Sequence, residues 1–454
     1  MSEVNLPEGW NRTTLAEVAE WGSGGTPSRK EASYYEGNIP WVKTGDLGPK
    51  VITSASENIS ELAVQNSSAK YFPKGSVAIA MYGATIGKTS ILGIDATTNQ
   101  ACGVGNPIDR LTFSEFLYYF LLNEKDNFIA KGKGGAQPNI SQALIKEHEI
   151  VLPPLAEQKV IADKLDSLLT QVETTKARLE RIPNILKTFR QSVLAAAVSG
   201  KLTEVQVNSI GQIKDCASVV SGLAFKKAEY SHEGSRLLQI ANVGYGITKW
   251  DSPNYIPLEL AESCLEYSMQ AGDIVLALNR PITNDTLKVA WIRDEDLPAT
   301  LYQRVARLRC NESLIDPRYL FLAMQSKEFL EVVSKNLKGS DQPYLNTSDL
   351  SSFSIAAPEK EEQTEIVHRV EELFAFADNI EQKANAALER VNNLTQSILA
   401  KAFRGELTAD WRAANPDLIS GENSAEALLA KIQAEREKLA LEKKAANKTR
   451  KKKA

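Results

Sequence analysis

The residues Gly83-Ala84-Thr85-Ile86-Gly87-Lys88-Thr89 have the types of a phosphate-binding loop, in which backbone amides wrap a phosphate and a lysine adds charge. Such a loop needs four residues between its glycines, and this one has three. The corresponding stretch in the other half of the chain, Asn279-Arg280-Pro281, has neither the glycines nor the lysine. Asp341-Gln342-Pro343-Tyr344 is close to the four-residue motif with which adenine-N6 methyltransferases hold a flipped base. That motif calls for proline at its second position, where this chain has Gln342. The repeat partner Ala136-Gln137-Pro138-Asn139 lacks both the acid and the ring, and no G-x-G cofactor loop follows a strand upstream. Neither stretch carries nucleotide or methyl-transfer chemistry.

Metal and acid–base chemistry are poorly supplied. Cys102, Cys216, Cys264 and Cys310 stand far apart without a C-x-x-C pair, so they read as separate thiols rather than zinc ligands or disulfides. Three histidines, His148, His232 and His368, complete the inventory. No catalytic residue and no metal ligand is assigned, and no cofactor is expected on this chain.

Gly22-Ser23-Gly24-Gly25-Thr26-Pro27, followed by Arg29-Lys30, differs in kind. A glycine-rich turn lets amides approach phosphates while two cations add attraction; a plain surface turn has the same composition. Its counterpart is Ser221-Gly222-Leu223-Ala224-Phe225-Lys226-Lys227.

These segments sit on a chain that repeats itself. Residues 153–203 match 358–408 without a gap: Pro153, Glu157, Gln158, Ile161 and Leu168 recur as Pro358, Glu362, Gln363, Ile366 and Leu373, and Gly200, Leu202 and Thr203 recur as Gly405, Leu407 and Thr408. So long a period means duplicated domains rather than a solenoid. Both matched segments are helices with apolar residues at 4-3 spacing. The first seam runs Ile161, Leu165, Leu168, Val172, Thr175, Leu179, Ile182, Leu186, Phe189, Val193, Ala196. The second runs Ile366, Val370, Leu373, Ala377, Ile380, Ala384, Ala387, Val391, Leu394, Ile398, Lys401. About five heptads of a/d pattern, bulky in one copy and alanine-rich in the other, suit two helices packed on each other. Prolines bar helix before each start and Gly200 and Gly405 mark the ends, giving roughly 60–65 Å per helix at 1.5 Å per residue. Pro183 should kink the first locally.

The intervening segments, 1–152 and 207–357, mix short strand-like runs (Val77–Ala80, Asp273–Ala277) with Gly, Pro and Asn turns and one late helical stretch each, near Phe113–Phe128 and Pro317–Leu337. Each reads as a mixed α/β (α+β) globule. The architecture expected is therefore a tandem pseudo-twofold repeat: globule 1–152, helix 153–206, globule 207–357, helix 358–409, and a tail 410–454. In the tail Ser424 can cap a helix carrying Leu428, Leu429, Ile432 and Leu439 before a basic cluster, Lys443, Lys444, Lys448, Arg450, Lys451, Lys452 and Lys453. A solvated disordered end is the reading preferred over a binding arm.

Composition fits an ordinary globular protein: 454 residues, 43% hydrophobic, 24% charged, mean hydropathy −0.26. No apolar run reaches the roughly 18–20 residues a membrane span needs, and the N-terminus has no apolar signal-peptide core, so a cytoplasmic location is expected. Net charge is −4. Residues 1–150 carry 13 Lys/Arg against 16 Asp/Glu and 207–355 carry 15 against 18, so each globule stands at −3. If such a chain grips DNA, partners must supply much of the phosphate-neutralising charge.

Leu6-Pro7-Glu8-Gly9-Trp10, Ile39-Pro40-Trp41-Val42-Lys43-Thr44-Gly45-Asp46-Leu47, Pro153-Pro154-Leu155-Ala156-Glu157-Gln158 and the helix end Gly200-Lys201-Leu202-Thr203 resemble the specificity subunit of type I restriction–modification systems, over essentially the whole chain. The resemblance implies that the globules are two target recognition domains, each reading half of a split double-stranded DNA sequence, and that the helices pack antiparallel and fix the gap. It also implies that two modification subunits, which bind S-adenosylmethionine and methylate adenine N6, dock on this chain, and that restriction subunits join for cleavage. Recognition domains vary, so contacts cannot be carried over by position; the candidates are polar residues the sequence places in loops. In the first domain these are Thr26, Arg29, Lys30, Lys43, Tyr82, Lys88, Gln100, Gln137 and Asn139. In the second they are Lys226, Lys227, Asn242, Asn279, Arg280, Gln303, Gln342 and Tyr344. Asn and Gln suit adenine edges and Arg suits guanine. An overlooked nuclease or methyltransferase site, or a coiled-coil scaffold without a DNA role, are the competing readings.

Overall fold

The computed structural model describes residues 6–108, 111–132 and 139–453, with the backbone alone for 439–440 and 442–453. The chain divides into two compact units, one of residues 1–178 and 388–454, the other of 179–387.

In the first unit a five-stranded sheet has the order Ala19–Ser23, Cys102–Pro107, Val77–Ala80, Thr89–Leu92, Val51–Ile52, antiparallel except for its last, parallel pair. A second sheet has the order Glu57–Ile59, Ile39–Val42, Ala96–Thr98, Tyr71–Phe72. The central strand explains the layering. All four residues of Val77–Ala80 are buried, and their alternation sorts them by face. Val77 and Ile79 join Phe116, Leu117 and Leu121 of helix Ser114–Asn123, while Ala78 and Ala80 join Val42, Leu92 and Cys102 beneath the second sheet. A short continuous apolar run is what a strand covered on both faces requires.

The second unit repeats this plan. Its five-stranded sheet has the order Ala217–Ser221, Val305–Cys310, Ile274–Ala277, Val289–Trp291, Gly246–Ile247, again with a parallel last pair. Ile274 and Leu276 face the helical core with Tyr319 and Leu320; Val275 and Ala277 face a three-stranded sheet through Leu238 and Leu301. Each expected late helical stretch is a pair of helices: Ser114–Asn123 with Lys125–Lys131, and Pro317–Met324 with Lys327–Lys335.

Chain enters and leaves each globule as two paired strands, Asn11–Thr14 with Glu149–Leu152 and Asn208–Gln212 with Ser354–Ala357. The long helices follow at once. Gln158 and Gln363, buried repeat partners, make the same two bonds. Each Nε2 donates to the carbonyl of the preceding proline, Pro153 at 3.1 Å and Pro358 at 3.0 Å. Each Oε1 accepts a backbone N–H from the globule, Phe113 at 3.1 Å and Asp316 at 2.7 Å. A glutamine side chain offers donor and acceptor together, so the duplicated Gln158 and Gln363 are a helix-to-globule tie.

The second long helix runs unbroken from Lys360 to Phe403, 44 residues. The first is interrupted at Glu180-Arg181, leaving Leu155–Leu179 and Ile182–Val198 with Pro183 in the first turn of the latter. Proline is tolerated there because first-turn N–H groups have no intrahelical acceptor. Within the first unit Ile161 and Leu165 pack in one core with Leu399 and Ala402, Lys164 donates to the Leu407 carbonyl at 2.9 Å, and the buried Glu157 carboxylate accepts from Trp10 Nε1 (2.7 Å), Thr408 Oγ1 (2.6 Å) and Arg412 Nη1 (2.6 Å). Within the second unit Arg190 bonds Asp378 (2.6 Å) and Glu381 (2.9 Å), and Arg369 bonds the Leu202 carbonyl (3.0 Å). Rising numbers on one helix meet falling numbers on the other, so the two run antiparallel there.

Along the seam Leu186, Ile366, Val370 and Val391 are buried; Val172 is 8% exposed; Leu168, Leu179, Ile182, Phe189, Leu373, Ile380 and Ile398 are half-buried. Leu394 is a correction: it is 43% exposed, and the burial passes to Leu399 and Ala402. Thr175 and Lys401 are exposed as well. A straight helix of 3.6 residues per turn drifts about 20° per heptad against a 3.5 repeat, so after several heptads the buried stripe moves to the neighbouring column.

The tail is also corrected. Ala425–Lys453 is helical, with Ser424 Oγ accepting from the Ala427 N–H at 3.2 Å. Leu428 and Ile432 are buried in the first unit's core, and Arg436 donates to the Ala16 carbonyl (2.7 Å) and pairs with Glu17 (3.2 Å). The side chains of Leu439 and of the basic cluster lie outside the described residues.

Candidate nucleic-acid interface

Where the central strand leaves each globule, the backbone gathers the same three loops. In the first, Met81 N donates to the Ala101 carbonyl (2.8 Å) and Met81 O accepts from Ile140 N (2.9 Å). In the second, Leu278 N donates to Arg304 O (2.8 Å) and Leu278 O accepts from Leu345 N (2.8 Å). A fourth loop is added by Asn99 N to Val42 O (3.0 Å), and correspondingly by Tyr302 N to Leu238 O (3.2 Å). One rim of each globule therefore collects the loops after the central strand, before the long neighbouring strand, and ahead of the exit helix.

The rims bring most of the candidates together. Tyr82, Lys88, Gln100 and Asn139 lie on the first, all exposed; Gln137 lies outside the described residues. Asn279, Arg280, Gln303, Gln342 and Tyr344 lie on the second, where Arg280 N donates to the Pro343 carbonyl at 2.7 Å and Asn279 bridges Tyr344. Thr26, Lys30, Lys226 and Lys227 are exposed on the neighbouring glycine turns.

Three expectations change. Asn242 is 5% exposed; its Oδ1 accepts from Gln239 N (2.9 Å) and its Nδ2 donates to the Lys249 carbonyl (2.9 Å), so it closes a turn and cannot read a base. Arg29 and Lys43 both bind Glu57, at 2.7 and 2.5 Å, and the Arg29 guanidinium sits 4.2 Å over the Tyr35 ring. The two cations, the Lys43 hydrogen bond foremost, hold the Glu57 carboxyl below its ordinary pKa, and the trio presents one net positive charge. The glycine turns, finally, are set by close packing. A Cβ on Gly24 would stand 1.9 Å from the Thr98 carbonyl oxygen and one on Gly222 2.4 Å from the carbonyls of Leu301 and Tyr302, and the Gly25 amide is already bonded to Thr98 O. Those amides are not displayed to a phosphate.

Gly83–Thr85 is a single 3-10 turn closing a hairpin between Val77–Ala80 and Thr89–Leu92, with no helix after it to bind a phosphate. The cysteines are unpaired; burial pushes the Cys102 thiol up to about 12. Among the described residues no group of three or more His, Cys, Asp or Glu could hold a metal, and no helix is long and apolar enough to cross a membrane.

Sequence reasoning missed Arg304. It is exposed on the second rim with φ +66°, and a left-handed backbone imposed by tertiary packing leaves no trace in composition.

Two globules of one topology, each ending in a polar loop rim and each joined to a long helix, define a duplicated recognition scaffold. The same architecture occurs in the crystal structure of the HsdS subunit from Thermoanaerobacter tengcongensis, with a TM-score of 0.63 at 18% identity, covering 89% of this chain and 99% of that one. A second solved structure, described under complex assembly and conformational transition of the type I R-M system, gives a TM-score of 0.66 at 18% identity over 88% of this chain and 99% of that one. In sequence, the family described as Type I restriction modification DNA specificity domain matches residues 7–184 and 208–390. The Type I restriction enzyme EcoKI specificity subunit of Escherichia coli strain K12 is 37% identical over 461 residues, 96% of this chain and 97% of the relative. The StySPI specificity subunit of Salmonella potsdam is 35% identical over 458 residues, with the same coverage. The chain belongs to the type I restriction–modification DNA specificity family.

Proposed function

We propose that this chain is the sequence-reading subunit of a type I restriction–modification complex. Each globule reads one half of a split target in double-stranded DNA with its loop rim, and the helix pair holds the two readers at a set separation. The observation that carries the reading is the pair of rims: matching hydrogen-bond frames around Met81 and Leu278 keep one side chain in common, Gln100 and Gln303, and differ at the others, Tyr82, Gly83 and Asn139 against Asn279, Arg280 and Tyr344. A shared frame with unlike side chains is what two readers of unlike half-sites need. Readers on one face of B-DNA sit about 34–36 Å apart or a multiple of it, and the 44 residues of Lys360–Phe403 span about 66 Å at 1.5 Å per residue.

The chain catalyses nothing itself. Methyl transfer belongs to two modification subunits that bring S-adenosylmethionine, and cleavage to restriction subunits. The −3 charge of each globule supports this division, because a reader so poor in cations needs partners to complete a basic clamp. The test is reconstitution: the chain alone, and with its modification subunits, incubated with DNA and S-adenosylmethionine, followed by sequencing of methylated adenines. Methylation at one split sequence only in the complete mixture is expected. Turnover by the chain alone would overturn the assignment.

A further inference from the structure

Among the described residues five that are not glycine have a left-handed backbone: Glu204, Arg280, Asn284, Asp285 and Arg304. Four of them lie in the second globule, and two of these, Arg280 and Arg304, lie in its rim. Asn284 and Asp285, φ +49° and +56°, are the two turn residues of the hairpin Ile282–Thr283/Thr286–Leu287, whose tight turn demands positive φ at both places. No turn residue pair accounts for Arg280 (φ +46°), while Arg304 (φ +66°) is the second residue of the Gln303-Arg304 turn, a place that glycine or asparagine usually takes when φ is positive. The shared frame shows what each replaces. Leu278 corresponds to Met81, so Arg280 corresponds to Gly83, which has φ +74°; Arg304 corresponds to Ala101. At the first of these places the first globule puts glycine where the backbone turns left-handed, while the second puts Arg280 there against its preference; at the other, Ala101 is not left-handed and Arg304 is. A disfavoured conformation that persists points to a use for the side chain. Both arginines are exposed, neither side chain is engaged in an ion pair or hydrogen bond among the described residues, and Leu278 N ties Arg304 O two residues from Arg280.

We infer that Arg280 and Arg304 are the specificity-determining pair of the second globule, reading guanine through O6 and N7 in the major groove, while the first globule has no counterpart to them. The planar guanidinium fork matches those two acceptors, and a lysine ammonium, a point charge on a flexible stem, holds that geometry less firmly. This deepens the split-target reading and rests on it.

The test uses the complete complex with its modification subunits and maps methylated sites by single-molecule sequencing for wild type, R280A, R304A, R280K, R280G and the control Q100A. The wild-type target is expected to carry a G·C pair in one half. R280A and R304A make that pair degenerate and leave the other half intact, R280K keeps only part of the discrimination, and Q100A disturbs only the other half. Glycine accepts φ +46° freely, so R280G should lose the same specificity with a melting temperature no lower than wild type, which separates a reading role from a structural one. Replacing that guanine with 7-deazaguanine should weaken wild-type binding by about 5- to 150-fold and R280A binding hardly at all. A wild-type half-site without G·C, an unchanged target in R280A, or an equal loss at all sequences in folded R280G would each overturn the pair. Absence of any split target in wild type would instead sink the proposed function itself.

Discussion

Arg190 Nη2 stands 2.6 Å from Asp378 Oδ1 and 2.9 Å from Glu381 Oε2, bridging one turn of the second long helix from the flank of the first. The two carboxylates raise the guanidinium pKa against the opposing effect of its burial. Asp378 is 71% exposed, so the pair fixes register more than it adds stability. R190A should lower unfolding stability by about 0.5–1 kcal/mol in a urea titration.

Glu157 behaves differently because it is fully buried beneath Trp10, Thr408 and Arg412. E157A strands a largely buried guanidinium, whose side chain is 13% exposed, together with an indole N–H. A loss of about 3–5 kcal/mol is expected, with E157Q milder because it still accepts hydrogen bonds. Equal urea midpoints for wild type and E157A would refute the role of this network.

The corrected seam makes a contrast. L399A removes a side chain 1% exposed and should cost about 2–5 kcal/mol. L394A, at a position 43% exposed, should stay within about 0.5 kcal/mol of wild type. The reverse order would restore the strict heptad reading.

How far the sequence could be read follows from such residues. The duplicated helices were legible because their contacts are local and periodic, and Gln158 and Gln363 recur with them. Central strands were legible as apolar runs. Rim residues could be picked as polar loop groups, but Asn242 has the same letter whether it closes a turn or faces solvent. Arg29 and Lys43 likewise give no sign that Glu57, distant in sequence, would pair with both. The glycines of the Thr26 turn were visible, yet their cause, the Thr98 carbonyl, is a tertiary contact. The tail's order depends on Leu428 and Ile432 reaching the first core, which no local pattern reports.

Glu57 supplies a prediction about DNA. E57Q frees Arg29 and Lys43, so non-specific affinity of the complex should rise and the slope of log K against log salt should steepen by about 1–2. Competition binding at two salt concentrations measures it; an unchanged slope would show that the two cations do not face phosphate.

Acid stability is governed in part by Glu124, whose side chain is 15% exposed beside His148 at 3.0 Å. Burial alone would raise its pKa, but hydrogen bonds from His148, Asn127 and Asn123 and the His148 charge outweigh that, and the value lies below the ordinary 4.5. A depressed carboxyl pKa contributes stability above its unfolded value and loses it as pH falls through the folded one. Between about pH 5.5 and 3.5 wild type should lose more melting temperature than E124Q; parallel curves would contradict this.

The measurement that bears most directly on the two-reader account is a matched deletion of seven residues from each long helix, 172–178 and 392–398, read by sequencing methylated adenines in the complete complex. Seven residues shorten a helix by about 10 Å, or about three base pairs at 3.4 Å each. The account predicts a target whose two half-sites keep their sequences while the gap between them shrinks. Altered half-sites with an unchanged gap would contradict it.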